Sequence, residues 1–119
     1  MPKKILIRRQ MAVVSKKQTH VHEFEGSTKL AEQGADRHNH RFAGVTSQVI
    51  PAGNSHVHEI VFEHTDFLDH FHNLRKIRTG PAIPVGNGKH IHFVSAQTTV
   101  VDGHRHRLQF ATAIQSPLV

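Results

Sequence analysis

The sequence predicts an all-β protein of about six short β-hairpin repeats, which form a barrel or two packed sheets. The first observation is a motif, because His-x-His occurs six times and uses twelve of the thirteen histidines. The second is its spacing, since successive pairs begin 14 to 20 residues apart, a length typical of two short strands and a turn. The third is alternation: His20, His22 and Phe24 fall on one side of a strand, and Val21 and Glu23 on the other.

The length of 119 residues suits one domain with a short extension. We expect a basic N-terminal leader strand or arm over residues 1–19 and a single His-x-His β domain over residues 20–119. Chain ends fray unless they are tied down, so the arm is expected to pair with a neighbouring chain. The predicted partner is therefore a second copy of the chain, in a homo-oligomer that could be a ring or a filament.

The net charge is +6, and basic residues are concentrated in the leader at Lys3-Lys4, Arg8-Arg9 and Lys16-Lys17. No aromatic residue stands among them to stack on bases, so a solvated strand is favoured over a phosphate-binding arm. Nucleic-acid binding is kept as an alternative function only. No small-molecule substrate is inferred.

No stretch approaches the length of a membrane span, and the apolar run Ile5–Ile7 is too short for a signal peptide. No membrane partner is predicted. Cytoplasmic localisation is the default expectation, with the spore or cell surface as alternatives.

The same residue types recur in each repeat. In repeats one to four and six, an apolar residue stands two positions beyond the histidine pair: Phe24, Phe42, Ile60, Leu74 and Leu108. In the fifth repeat Phe93, one position earlier, is assigned this place. A threonine follows the first histidine by eight or nine residues, at Thr28, Thr46, Thr65, Thr79, Thr98 or Thr99, and Thr112. We expect these threonines to be strand residues, with a hydrogen bond to a neighbouring imidazole as the alternative. All seven phenylalanines are assigned to the core or an interface, and residues 28–36 to one helical turn at most.

Paired imidazoles on strands predict metal binding, because residues i and i+2 share a face and neutral imidazole is the commonest metal ligand. About 1.4 such pairs are expected by chance, against the six observed. The predicted ligands are His20, His22, His38, His40, His56, His58, His70, His72, His90, His92, His104 and His106.

Two or three ions per chain are expected. Two pairs give four nitrogens, which suit zinc or copper, and three pairs give six, which suit octahedral nickel, cobalt or ferrous iron. The metal is thus left open among zinc, copper, nickel, cobalt and iron. The alternatives to metal are histidines that stack or hydrogen-bond each other, and a pH-sensitive surface.

Other polar residues give weaker indications. His64 could be a further ligand, although a surface role is commoner. Glu23, Glu59, Asp69 and Asp102 could orient imidazoles, although exposed carboxylates are commoner.

An enzyme is not predicted, and no catalytic residue is assigned. His56, His58 and Glu63 match a fragment of the cupin metal motif, but its glycines and its later histidine are missing. A metal-dependent oxidase or hydrolase therefore stays an alternative. The absence of cysteine excludes disulfides, thiolate zinc sites and iron–sulfur clusters.

The segments "HVHEFEGST", "HNHRFAGVTS", "HIHFVSAQTT" and "GHRHRLQFAT" resemble the YmaF-like proteins, small His-rich proteins of spore-forming and related bacteria. The resemblance covers about residues 20–114, and the third and fourth units depart most from it. It implies a repeated His-x-His domain and supplies no reaction.

Overall fold

The computed structural model describes residues 18–117, and it confirms the all-β fold. The ten strands are β1 Val21–Ser27, β2 Arg41–Val45, β3 Ile50–Ala52, β4 Ser55–Val57, β5 Glu59–His64, β6 Asn73–Arg78, β7 Ala82–Gly86, β8 Lys89–Gln97, β9 Arg107–Ala111 and β10 Gln115–Ser116. One 3-10 turn, Gly34–Asp36, is the helix found in these residues, which agrees with the expected single turn.

The strands pair into four small antiparallel sheets, with the orders β10-β1-β2, β3-β4, β5-β6 and β7-β8-β9. Within residues 18–117 they do not close into a barrel. Most of the predicted leader strand lies outside the described residues, so its structure and its pairing with another chain stay predictions. Residues 18–117 contain no helix long and apolar enough to cross a membrane.

The repeat is built so that its histidine pair and its threonine lie at opposite ends of one extended segment. His22 opens the segment that contains β1, and Thr28 follows directly after that strand. The distance in sequence from the second histidine to the threonine is six or seven residues, which spans roughly 20 Å of extended chain. Because successive segments are antiparallel, the histidine pair of one segment lies at the same end as the threonine of the next.

The third and fourth segments, residues 58–65 and 72–79, are each one residue longer than the other four. The extra residue of each lies in the middle of the β5–β6 pair. Val61 and Lys76 are left out of an otherwise continuous ladder, and Lys76 has a φ of 53°. Phe62 consequently points outward and is half exposed.

The buried core lies along the segments, beyond the histidine pairs. It contains Phe24, Phe42, Ile60, Leu74, Ile77, Val94, Leu108 and Phe110. Gly26 in β1 suits this packing, because a Cβ there would lie 3.0 Å from the ring of Phe42 and the ring would have to move.

Two predictions about the core are corrected. The apolar residue of the fifth repeat is Val94, which is fully buried, whereas Phe93 is 45% exposed. Val94 stands two positions beyond His92, so all six repeats share one pattern. Of the seven phenylalanines, Phe62, Phe67, Phe71 and Phe93 are exposed, and a core assignment is wrong for these four.

Candidate metal centres

Alternate histidine pairs meet at opposite ends of the segments and form two clusters. Cluster 1 contains His20, His22, His56, His58, His90 and His92. Cluster 2 contains His38, His40, His70, His72, His104 and His106. All twelve histidines predicted as ligands are thereby brought together, three pairs to each cluster.

Each cluster has an outer and an inner set of three imidazoles. The second histidine of every pair is fully buried, and the first is partly exposed. An inner and an outer triangle of donors facing each other are the two opposite faces of an octahedron.

The distances between donor atoms fit an octahedron. Neighbouring Nε2 atoms are 3.1–3.2 Å apart in cluster 1 and 3.2–3.3 Å apart in cluster 2. Adjacent corners of an octahedron are √2 times the centre-to-corner distance apart, which gives about 2.2–2.3 Å from each nitrogen to the centre, close to ordinary metal–imidazole distances. Opposite corners would then be about 4.5 Å apart. The six donors of cluster 1, and the five of cluster 2 other than that of His40, do lie within 4.8 Å of one another. His40, whose Nε2 is 3.2 Å from that of His70, is the sixth imidazole of cluster 2 and lies outside the group whose donors are all within 4.8 Å of one another.

Backbone carbonyls orient all six inner imidazoles. In each case the Nδ1–H donates to a carbonyl oxygen at 2.8–3.2 Å. The pairs are His22 with Ala113, His40 with Asp66, His58 with Ser47, His72 with Thr99, His92 with Gly80, and His106 with Lys29. A proton fixed on Nδ1 leaves the Nε2 of a neutral ring as a bare lone pair that faces the cluster centre.

Each of those carbonyls belongs to the residue directly after the buried threonine that recurs in every repeat. The threonine Oγ1 accepts the backbone N–H of one inner histidine at 3.0–3.1 Å. Its own N–H donates to the carbonyl of the same histidine at 2.8–2.9 Å. None of the six threonines lies in a strand, so their assignment as strand residues is wrong. The alternative prediction, a hydrogen bond to a neighbouring imidazole, agrees better with the structure. Thr65, Thr79 and Thr112 each place Oγ1 3.3–3.4 Å from an imidazole Nδ1.

These bonds close into a ring around each cluster. In cluster 1, Thr46 holds the backbone of His22, and Ser47 after it orients the imidazole of His58. Thr79 holds His58 and Gly80 orients His92, while Thr112 holds His92 and Ala113 orients His22. Cluster 2 has the same cycle, through Thr28, Thr98 and Thr65. Each centre therefore has approximate threefold symmetry. Every inner imidazole is oriented by a backbone carbonyl of another hairpin.

The outer imidazoles of cluster 2 are held at Nδ1 as well. His38 donates to the Asp36 carbonyl at 2.7 Å, His104 to the Asp102 carbonyl at 3.2 Å, and His70 to the Asp69 carboxylate at 2.6 Å. All six Nδ1 atoms of this cluster thus face an acceptor, so in six neutral rings every Nε2 is a lone pair and no proton lies between the Nε2 atoms. Six lone pairs at this spacing repel one another unless a cation lies among them, so the residues present fit a bound metal ion. In cluster 1, the buried Nε2 of His58 has no hydrogen-bond partner within residues 18–117.

The surroundings favour the neutral, metal-binding form of imidazole. Burial, reinforced by the neighbouring imidazoles, lowers the pKa of His22, His58 and His90 in cluster 1, and of His106 in cluster 2, to about 4. The pKa of His20, His56 and His92 is lowered mainly by burial too.

Carboxylates surround cluster 2, and only part of this arrangement was predicted. Asp69 contacts His70 as the sequence suggested it could, and an Asp102 oxygen lies 3.9 Å from the same Nδ1. Glu32, 3.3 Å from His104, and Asp66, 3.4 Å from His40, were missed. Asp66 directly follows Thr65, so its place in the repeat could have indicated it.

Several weaker candidates lie outside both clusters. Glu23 and Glu59 take part in the rings through their backbone carbonyls, which accept from Ala113 and Ser47. His64 is exposed and donates to the carbonyl of Thr65. Glu63 packs against Gly44, so the cupin-like fragment is not assembled around His56 and His58.

The fold and the two centres define a class of small all-β protein, in which His-x-His hairpins surround two six-histidine clusters. The family model described as YmaF, spore germination protein GerY/YamF, matches residues 17–114. The chain belongs to this family, which confirms the resemblance seen in its motifs. No curated protein and no solved structure matches it.

Proposed function

We propose that the protein binds two divalent transition-metal ions per chain, one in each six-histidine cluster, and that the ions hold its hairpins together. The observation that carries this proposal is the convergence of six bare Nε2 lone pairs in cluster 2, whose Nδ1 protons all point to other acceptors. Stacked or mutually hydrogen-bonded histidines would need protons between the rings, and six neutral rings with their protons on Nδ1 supply none.

Donor type and geometry limit the choice of metal. Magnesium and calcium prefer oxygen ligands. Structural zinc is almost always four-coordinate, and cupric copper favours tetragonal sites. Six imidazoles at octahedral spacing suit ferrous iron, cobalt or nickel, and these are the proposed occupants.

The clusters suit a structural role better than a catalytic one. Hydrolysis or oxidation at a metal generally requires an open coordination position for water or substrate. Six imidazoles per ion leave no such position. Each ion would instead join three hairpins that are distant in sequence, and a small core such as this one gains stability from such ties.

The setting we propose is the bacterial spore, because the family carries the description of a spore germination protein. Within it the chain would act in a homo-oligomeric or filamentous assembly formed through the basic leader. The exposed Val61, Phe62, Phe67, Leu68 and Phe71 support an interface between copies. Light scattering on the metal-loaded full chain tests this part, and a monomer would contradict it.

The metal proposal is tested by elemental analysis of protein purified without a His-affinity column or chelator. We expect two equivalents of one octahedral metal per chain, with X-ray absorption showing six nitrogens at about 2.2 Å. The double variant His70→Ala/His104→Ala should lose one equivalent, and the control His64→Ala should keep both. Protein that contains no metal, and takes up none from ferrous, cobalt or nickel salts, would refute the proposal.

A further inference from the structure

The two clusters open to differently charged surroundings. The outer imidazoles of cluster 2 form the floor of a cleft of about 400 Å³. Its walls carry four acidic residues, Glu32, Asp36, Asp69 and Asp102. The Asp69 carboxylate accepts the Nδ1–H of His70 at 2.6 Å, and the Glu32 carboxylate lies 3.3 Å from Nδ1 of His104.

Cluster 1 opens beside a smaller cleft of about 270 Å³. Among the described residues, its lining includes no carboxylate and one cation, Lys89. The side chains of Thr19, Asn87 and Gln115 are its neutral polar groups besides His20, and Gln115 Oε1 accepts the backbone N–H of His90 at 2.9 Å.

These differences affect cation binding in two ways. A carboxylate that accepts the Nδ1–H of a ligating imidazole makes the other nitrogen a stronger donor, and loss of such a partner typically weakens metal binding 10- to 100-fold. A cleft lined by one sign of charge also raises the local concentration of the opposite ion. Both effects favour cluster 2, while a lysine beside cluster 1 opposes the approach of a cation.

We infer that the two centres are inequivalent: cluster 2 binds its divalent ion first and retains it, and cluster 1 exchanges its ion more readily. This inference rests on the proposed function, and it adds a division between a permanent ion and an exchangeable one. A change in the metal concentration around the protein would therefore change the occupancy of cluster 1, the exchangeable centre.

The test is a calorimetric titration of metal-free full-length protein with nickel chloride. We expect two binding events, the first at least 10-fold tighter than the second. The variant Asp69→Asn/Asp102→Asn should weaken the tighter event 10-fold or more and leave the second unchanged. Asp69 is 91% exposed, and Asp102 has a φ of 53°, which asparagine tolerates well, so the fold should survive both changes.

The matched control is Glu25→Gln, which removes the same type of charge from the exposed surface of β1. To assign the events, His56→Ala should weaken the looser one and His70→Ala the tighter one, with circular dichroism confirming the fold. Equal events, or a tighter event that Asp69→Asn/Asp102→Asn leaves unchanged, would overturn the inference and leave the two-ion proposal standing. No nickel binding at all would overturn both.

Discussion

Replacing Thr79 by valine removes one hydroxyl from the ring of bonds around cluster 1 and keeps the side chain's shape. The hydroxyl accepts the backbone N–H of the fully buried His58 at 3.1 Å and donates to the carbonyl of Gly80 at 2.8 Å. A buried N–H left without a partner costs about 1–3 kcal/mol, and a lost hydrogen bond about 1 kcal/mol. We expect Thr79→Val to lower the free energy of unfolding by roughly 2–3 kcal/mol.

Urea unfolding of the metal-free protein, followed by far-UV circular dichroism, measures this change. With an m-value of about 1–3 kcal/mol/M, the midpoint should fall by roughly 1 M. Thr79→Ser keeps the hydroxyl and should restore most of the loss. Because the Gly80 carbonyl orients His92, Thr79→Val should also weaken metal binding at cluster 1. A valine variant that unfolds at the wild-type midpoint would refute the role given to the threonines.

Three further predictions concern the core, acid and metal removal. Leu108→Ala should destabilise the protein by about 2–5 kcal/mol in the same urea assay, because Leu108 is fully buried, whereas Val100→Ala at an exposed site should change little. The metal-free protein should be most stable above pH ~6.5 and lose stability as the pH falls toward 4. The reason is that the pKa of His22 and His58 drops from 6.5 to about 4 on folding, so the unfolded chain binds more protons in this range. Equal urea midpoints at pH 7.5 and pH 5 would contradict this. Stripping the metal with EDTA should lower the melting temperature by roughly 15 °C or more per ion, since an ion at 1,000 times its Kd adds about 4 kcal/mol, and an unchanged melting temperature in calorimetry would argue against a structural role.

The repeat pattern alone is enough to predict the all-β fold and the set of clustered histidines. A pair at i and i+2 must place both imidazoles on one strand face, and six copies in hairpins must bring several pairs together. The pattern could not say which pairs meet, because this depends on the direction in which each segment runs. The structure places His20/His22 with the third and fifth pairs, and His38/His40 with the fourth and sixth.

The threonines and some apolar residues show the limits of reading residues by type. Thr46 suits a strand by intrinsic preference, but its position at the strand end lets its hydroxyl bond the backbone of His22, an interaction distant in sequence. Phe93 is assigned to the core by residue type, yet the i+2 rule applied from His92 selects Val94, which is the buried residue. Glu32 could not be assigned to His104, because no local pattern links residues 72 positions apart.

Because the histidine pairs of successive repeat units lie at alternate ends of the molecule, it matters whether the number of units is odd or even. Deleting or duplicating a single unit would send every later histidine pair to the opposite end of the molecule, so a deletion would leave one centre with two pairs and a duplication would give one centre a fourth. The loops can vary in length without this penalty, as the 14- to 20-residue spacing shows. Such a chain can change its loops freely during evolution, but it can gain or lose single repeat units only two at a time, that is, as one whole hairpin, if the pairs are to keep their ends.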